Sequence, residues 1–119
     1  MAPGPTKVLG ITDVDLFIPV LTYVFGEAQV PGAAAVVSLA RLRFTYDERP
    51  APSPLVEARL LKECLHEPGH TFGLVHCSDR ICLMARSNSL LDVDRKGERF
   101  CRDCRQRLWG LMEAGGEEP

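Results

Sequence analysis

Apolar positions fall into two short unbroken runs, then a long stretch at helical spacing, then a region with little pattern. The first run, Lys7-Val8-Leu9-Gly10-Ile11-Thr12, predicts a buried strand followed by a turn that carries Asp13 and Asp15. Residues 16–28 are interrupted at Pro19 and Gly26 and are rich in aromatic and β-branched side chains, which favours extended chain with Pro19 at an edge or bend. The second run, residues 33–39, is continuously small or apolar and predicts an inner strand covered on both faces.

Pro50, Pro52 and Pro54 forbid regular structure through residues 43–54. A helix is predicted to start there, with Ser53 as N-cap and Pro54 at the first helical position, where a missing N–H costs nothing. Leu55, Val56, Leu60, Leu61, Leu65 and Phe72 then recur at helical spacing and predict the face laid on the sheet. Periodicity lapses between Gly73 and residue 100. A last helix is expected from about Cys101, with Leu108, Trp109, Leu111 and Met112 facing the core and Gly115-Gly116-Glu117-Glu118 fraying out. No internal repeat is present.

Composition narrows the function classes. The chain has 119 residues, 45% of them hydrophobic, which fits one domain spanning 1–119. With 14 basic and 16 acidic side chains, the net charge of −2 excludes a polycation drawn to nucleic acid or anionic membrane. Residues 80–107 hold eight Arg or Lys against four Asp or Glu, a mild local excess that reads as a solvated face, with a nucleic-acid module as the rival. No apolar stretch approaches the roughly twenty residues needed to span a bilayer. The first residues lack a signal-peptide pattern, so a cytoplasmic, reducing location and a monomer without membrane or nucleic-acid partners are expected.

The chemistry concentrates in the three histidines and five cysteines. All three histidines lie within His66-Glu67-Pro68-Gly69-His70-Thr71-Phe72-Gly73-Leu74-Val75-His76. Four residues apart on a helix, His66 and His70 present their imidazoles to one point, and Glu67 can reach a metal-bound water without ligating the metal. A positive φ at Gly73 would end the helix and turn the chain back so that His76 closes the site. Three imidazoles leave one open position, as at a catalytic zinc. Cys77, Cys82, Cys101 and Cys104 supply four thiolates for a closed, structural zinc, with disulfides as the alternative reading. Cys64 is left over and reads as a small core hydrophobe.

Together His66 to His76, Cys77, Cys82, Met84, Cys101 and Cys104 resemble the archaemetzincins, metzincin-clan zinc metallopeptidases that join such a histidine motif directly to four cysteines. Ile11-Thr12-Asp13-Val14-Asp15-Leu16, Phe25-Gly26-Glu27-Ala28 and residues 36–42 are also similar to that family. The resemblance covers roughly residues 7–112. It implies an α+β fold: a twisted mixed sheet packed on an active-site helix (7–76) above a small zinc-stapled subdomain ending in a helix (77–119). It further implies two Zn²⁺ per chain, one on His66, His70 and His76 and one on Cys77, Cys82, Cys101 and Cys104, with Glu67 as general base acting on a peptide or protein substrate. Residues 23–28 would form the cleft's upper rim, and Met84 would floor the histidine site.

Three departures from the family pattern carry expectations of their own. Family members usually have a further strand and helix ahead of Lys7, so an incomplete sheet or an N-terminus truncated relative to the family is expected. Pro68 inside the active-site helix deletes the bond to the Cys64 carbonyl, at about 3 kcal/mol, and predicts a kink or widened turn there. No tyrosine follows Tyr46, so an oxyanion must lean on zinc, a backbone N–H or an upstream side chain. These departures keep a second reading open, a zinc-stapled peptide-binding module with little or no catalysis.

Overall fold

A computed structural model describes residues 6–19 and 23–116. Residues 20–22, part of the segment predicted to be extended, lie outside the described residues, as do Glu117 and Glu118 of the expected frayed end. Among the described residues, five strands precede three helices: β1 (Val8–Thr12), β2 (Leu16–Phe17), β3 (Tyr23–Val24), β4 (Gly26–Ala28), β5 (Ala34–Ser38), α1 (Ser53–Phe72), α2 (Leu90–Arg95) and α3 (Arg102–Gly116). The architecture is α+β. One sheet has the order β1-β5-β4, with β1 parallel and β4 antiparallel to β5, so it is mixed. β2 and β3 form a separate antiparallel pair.

The apolar run of β5 sits at the centre of the sheet, and Val37 is fully buried there. β1 differs from expectation. Among the described residues it has one neighbour, β5, and Val8 and Ile11 stand 61% and 55% exposed on this edge strand rather than buried. Two apolar clusters hold the chain together. Phe25, Val37, Leu42 and Val93 join the sheet to α1 and α2, with Cys64 packed half-buried against them. Leu74, Cys82, Met84 and Cys104 form the second cluster, onto which Leu108 and Leu111 of α3 pack.

α1 starts where the prolines end, but its cap is Pro52, not Ser53, and no side chain caps it. Pro54 in the first turn removes one of the orphan N–H groups, while Leu55 and Val56 both donate to the Pro52 carbonyl. The helix also continues through Pro68 to Phe72. α1 packs against β4, β5, α2 and α3. The largest correction concerns its faces. Leu61 and Leu65 are exposed, whereas Arg59, Lys62, Glu63, His66, Glu67, Gly69, His70 and Thr71 point inward.

Such a buried polar face stands only if every group is paired. Arg59, 1% exposed, donates from Nε and Nη2 to the two Asp94 carboxylate oxygens at 2.8 Å each, and from Nη1 to the Leu42 and Phe44 carbonyls. Lys62 Nζ donates to the Val93 and Asp94 carbonyls at the end of α2, where a cation also suits the helix dipole. α3 is likewise narrower in its contact than predicted. Cys104, Leu108 and Leu111 form its inward stripe, leaving Trp109 66% and Met112 46% exposed, and the helix runs to Gly116 without fraying at Gly115.

Candidate active site

α1 brings His66 and His70 onto one buried stripe. Gly73 then takes φ +114°, and its N–H and that of Leu74 close onto the His70 and Gly69 carbonyls, ending the helix. The chain turns back, and His76 arrives with its ring centroid 5.4 Å from that of His66 and 4.8 Å from that of His70. Ring orientation is fixed from behind. His66 Nδ1 lies 2.7 Å from the Leu83 carbonyl oxygen and His70 Nδ1 lies 2.7 Å from that of Leu74. A carbonyl can only accept, so both Nδ1 atoms carry the proton and both Nε2 atoms present lone pairs.

Those two Nε2 atoms face each other at 3.1 Å with no proton between them. A cation relieves that repulsion. For zinc bonded at about 2.05 Å, tetrahedral ligands stand about 3.3 Å apart, close to the observed separation. Burial, then the Lys96 ammonium, holds His66 well below the usual imidazole range, and burial also lowers His70. His76 falls to about 4 through partial burial, then His70, Arg86 and Lys96. All three rings are therefore neutral at pH 7, the form that binds metal. Met84, fully buried, lies directly beneath α1: its sulfur is 2.8 Å from where a Gly69 Cβ would stand.

Glu67 occupies the same cleft, a cavity of about 630 Å³ that the three histidines share with residues of β3 and β4. Its approach to the sheet depends on Gly26, whose missing Cβ would lie 2.7 Å from Glu67 Oε2. Burial first, then the charges of Glu63 and Glu27, push Glu67 up to about 8 despite the opposing pull of Lys96. Lys96 is buried beside it and sits 3.0 Å from Glu63 Oε2, an ion pair rather than an aligned hydrogen bond. Glu63 and Lys96 belong to no spacing motif. Glu63 had a signal in retrospect, since it shares the helical stripe of His66 and Glu67, whereas Lys96 is delivered by the short helix α2, which the irregular pattern hid.

The cysteines converge as well, and each is a free thiol. The donor atoms of Cys77, Cys82, Cys101 and Cys104 all lie within 4.8 Å of one another, as do those of the three histidines. Cys77 and Cys101 sulfurs are 3.8 Å apart. A disulfide needs about 2.05 Å, whereas thiolates around zinc at about 2.3 Å stand about 3.8 Å apart. Backbone N–H groups of Met84 and Cys101 point at Cys82 Sγ at 3.4 and 3.2 Å, as befits a thiolate.

The sequence profile of peptidase family M54 matches residues 4–109. The chain belongs to that family. It is 51% identical over 110 residues to the archaemetzincin of Methanopyrus kandleri, covering 92% of this chain and 59% of the relative. It is 46% identical over 101 residues to that of Methanocaldococcus jannaschii, covering 85% of this chain and 56% of the relative. The crystal structure of the M. kandleri archaemetzincin superimposes with a TM-score of 0.84 at 47% identity, over 95% of this chain and 59% of that one. That of the Archaeoglobus fulgidus archaemetzincin, complexed with malonate, gives a TM-score of 0.77 at 44% identity over 90% and 63%. The M54 chain described here thus spans about 59% of the length of the first of these relatives. Among the described residues, no helix is long and apolar enough to cross a membrane.

Proposed function

We propose that the chain is a zinc-dependent peptidase that hydrolyses peptide bonds with Glu67 as its general base. His66, His70 and His76 hold a catalytic zinc, and Cys77, Cys82, Cys101 and Cys104 hold a structural one. The observation that carries the reading is the pair of unprotonated Nε2 atoms 3.1 Å apart beside a buried carboxylate in one cleft. Bound zinc supplies Lewis acidity and lowers the pKa of its water to about 7. The chain's own groups do the rest. Glu67, in the cleft beside the three histidines, would take a proton at its carboxylate and return it to the leaving amine. β4 lies at the edge of its sheet and borders the cleft, so its free backbone groups can pair with an extended peptide. Five free thiols favour a reducing, cytoplasmic location.

Zinc-loaded wild type and Glu67→Gln should contain equal zinc, while the variant loses about 10²–10⁴-fold in cleavage of a quenched peptide library. Equal cleavage by both would remove Glu67 from the mechanism. Zinc-loaded wild type that binds peptides without cleaving them would leave the binding module as the correct reading.

A further inference from the structure

Beside the catalytic cleft lies a second hollow of about 310 Å³, lined by Cys77, Arg80, Ala85, Arg86, Asp92 and Arg95. Three separate pieces of chain bring the arginines there: the loop after Cys77, the segment after Met84, and the end of α2. The bridge between Cys77 and Ala85 sets the first two side by side. Among the described residues, none of the three guanidinium groups has a carboxylate within ion-pair distance, although Arg41, Arg49 and Arg59 each have one. Asp92, the one acid in the hollow, accepts the Asn88 N–H at 3.0 Å. The lining therefore carries three positive charges against one negative. Arg86 also lines the catalytic cleft, so the two cavities share a wall.

We infer that this arginine hollow is a substrate subsite for a carboxylate, belonging either to an Asp or Glu side chain or to the peptide's own C-terminus. It rests on the peptidase reading and deepens it: a peptide lying across the zinc site past His76 reaches Arg86 without leaving the cleft. Guanidinium groups match carboxylates with two parallel hydrogen bonds, and several converging on a concave wall focus the field that draws one in. The competing account is that the arginines offset the net negative charge of a zinc tetrathiolate at Cys77. The two accounts separate on metal content.

The test uses zinc-loaded Glu67→Gln protein, which binds peptide without turning it over. Fluorescence anisotropy gives its affinity for a neutral peptide in which a single Asp, or Asn as control, is walked through each position, with free and amidated C-termini. One position should favour Asp over Asn by about tenfold, the worth of one charge-assisted pair. A gain confined to free C-termini would assign the hollow to the α-carboxylate, and a gain in amidated peptides to the side chain. Arg95→Glu should abolish that gain and favour Lys at the same position, with zinc content unchanged. Arg80→Ala should reduce the gain in part. Equal affinity for every Asp/Asn pair and for both termini would overturn the inference, as would Arg95→Glu protein that sheds zinc. Failure of the native chain to cleave any peptide counts against the peptidase reading alone, because the binding measurement needs no turnover.

Discussion

Replacing Gly26 by alanine probes how the general base is held. The added Cβ would stand 2.7 Å from Glu67 Oε2, 2.8 Å from Glu67 Cγ and 2.8 Å from the Val36 carbonyl oxygen. Ordinary contact begins near 3.4 Å, so close to 0.7 Å must be found. The Val36 oxygen belongs to the central strand, and Gly26 itself is paired with Val37, so neither backbone can retreat without breaking the ladder. The Glu67 side chain gives at two of the three contacts, and the contact with the Val36 oxygen strains the pairing of β4 with β5. Misplacing a reacting group by about 1 Å costs about 10²-fold, so Gly26→Ala should lower kcat/KM by about 10–10²-fold. His66 and His70 lie outside those contacts, so zinc content should hold. Overpacking of this kind costs about 1–3 kcal/mol, visible as a lower midpoint in thermal unfolding. Steady-state cleavage paired with zinc analysis makes the check. An unchanged kcat/KM, or a loss of activity that tracks loss of zinc, would refute the reasoning.

Two further outcomes follow from the same geometry. Burial alone raises the Asp94 carboxyl, but the hydrogen bonds from Arg59 and Tyr46 outweigh it and hold Asp94 below its usual 3.8. A depressed folded value means stability that is complete above the unfolded value and lost as pH falls through the folded one. Asp94→Asn should therefore flatten the acid limb of unfolding free energy against pH below about 4 in urea titrations. Cys101→Ser should lose one zinc and about 4–5 kcal/mol of stability, measured by metal analysis and denaturant unfolding; full retention of both metals would dismiss the tetrathiolate.

The sequence made the chemistry more legible than the packing. Histidine spacing is short-range and obeys local geometry, so one helical turn and one glycine suffice to bring three donors together, whereas Cys101 meets Cys77 across 24 residues and Cys82 across 19 through tertiary packing. Burial is a property of the whole molecule. The leucines of α1 repeat at helical spacing, yet Leu61 and Leu65 face away from the core while Arg59, Lys62 and Glu63 turn inward to partners that no local pattern announces. β1 fits the same lesson: its apolar run is as continuous as that of β5, and only the strand order decides which of the two is covered. The six residues of α2 carry too little periodicity to mark a helix, although Ser89, which accepts the Asp92 N–H, is a start signal in the sequence.

The stretch from Leu74 to Met84 serves both donor clusters at once. Its backbone supplies the Leu74 and Leu83 carbonyls that orient His70 and His66, its side chains supply His76, Cys77 and Cys82, and the Cys77 N–H closes it onto the Met84 carbonyl at 2.8 Å. Ordering this one segment therefore prepares two cages. Linked equilibria are reciprocal, so an ion in either cage raises the affinity of the other by the same factor. On the zinc reading, a chain that loses the structural ion holds the catalytic one more weakly, without a change in any catalytic residue.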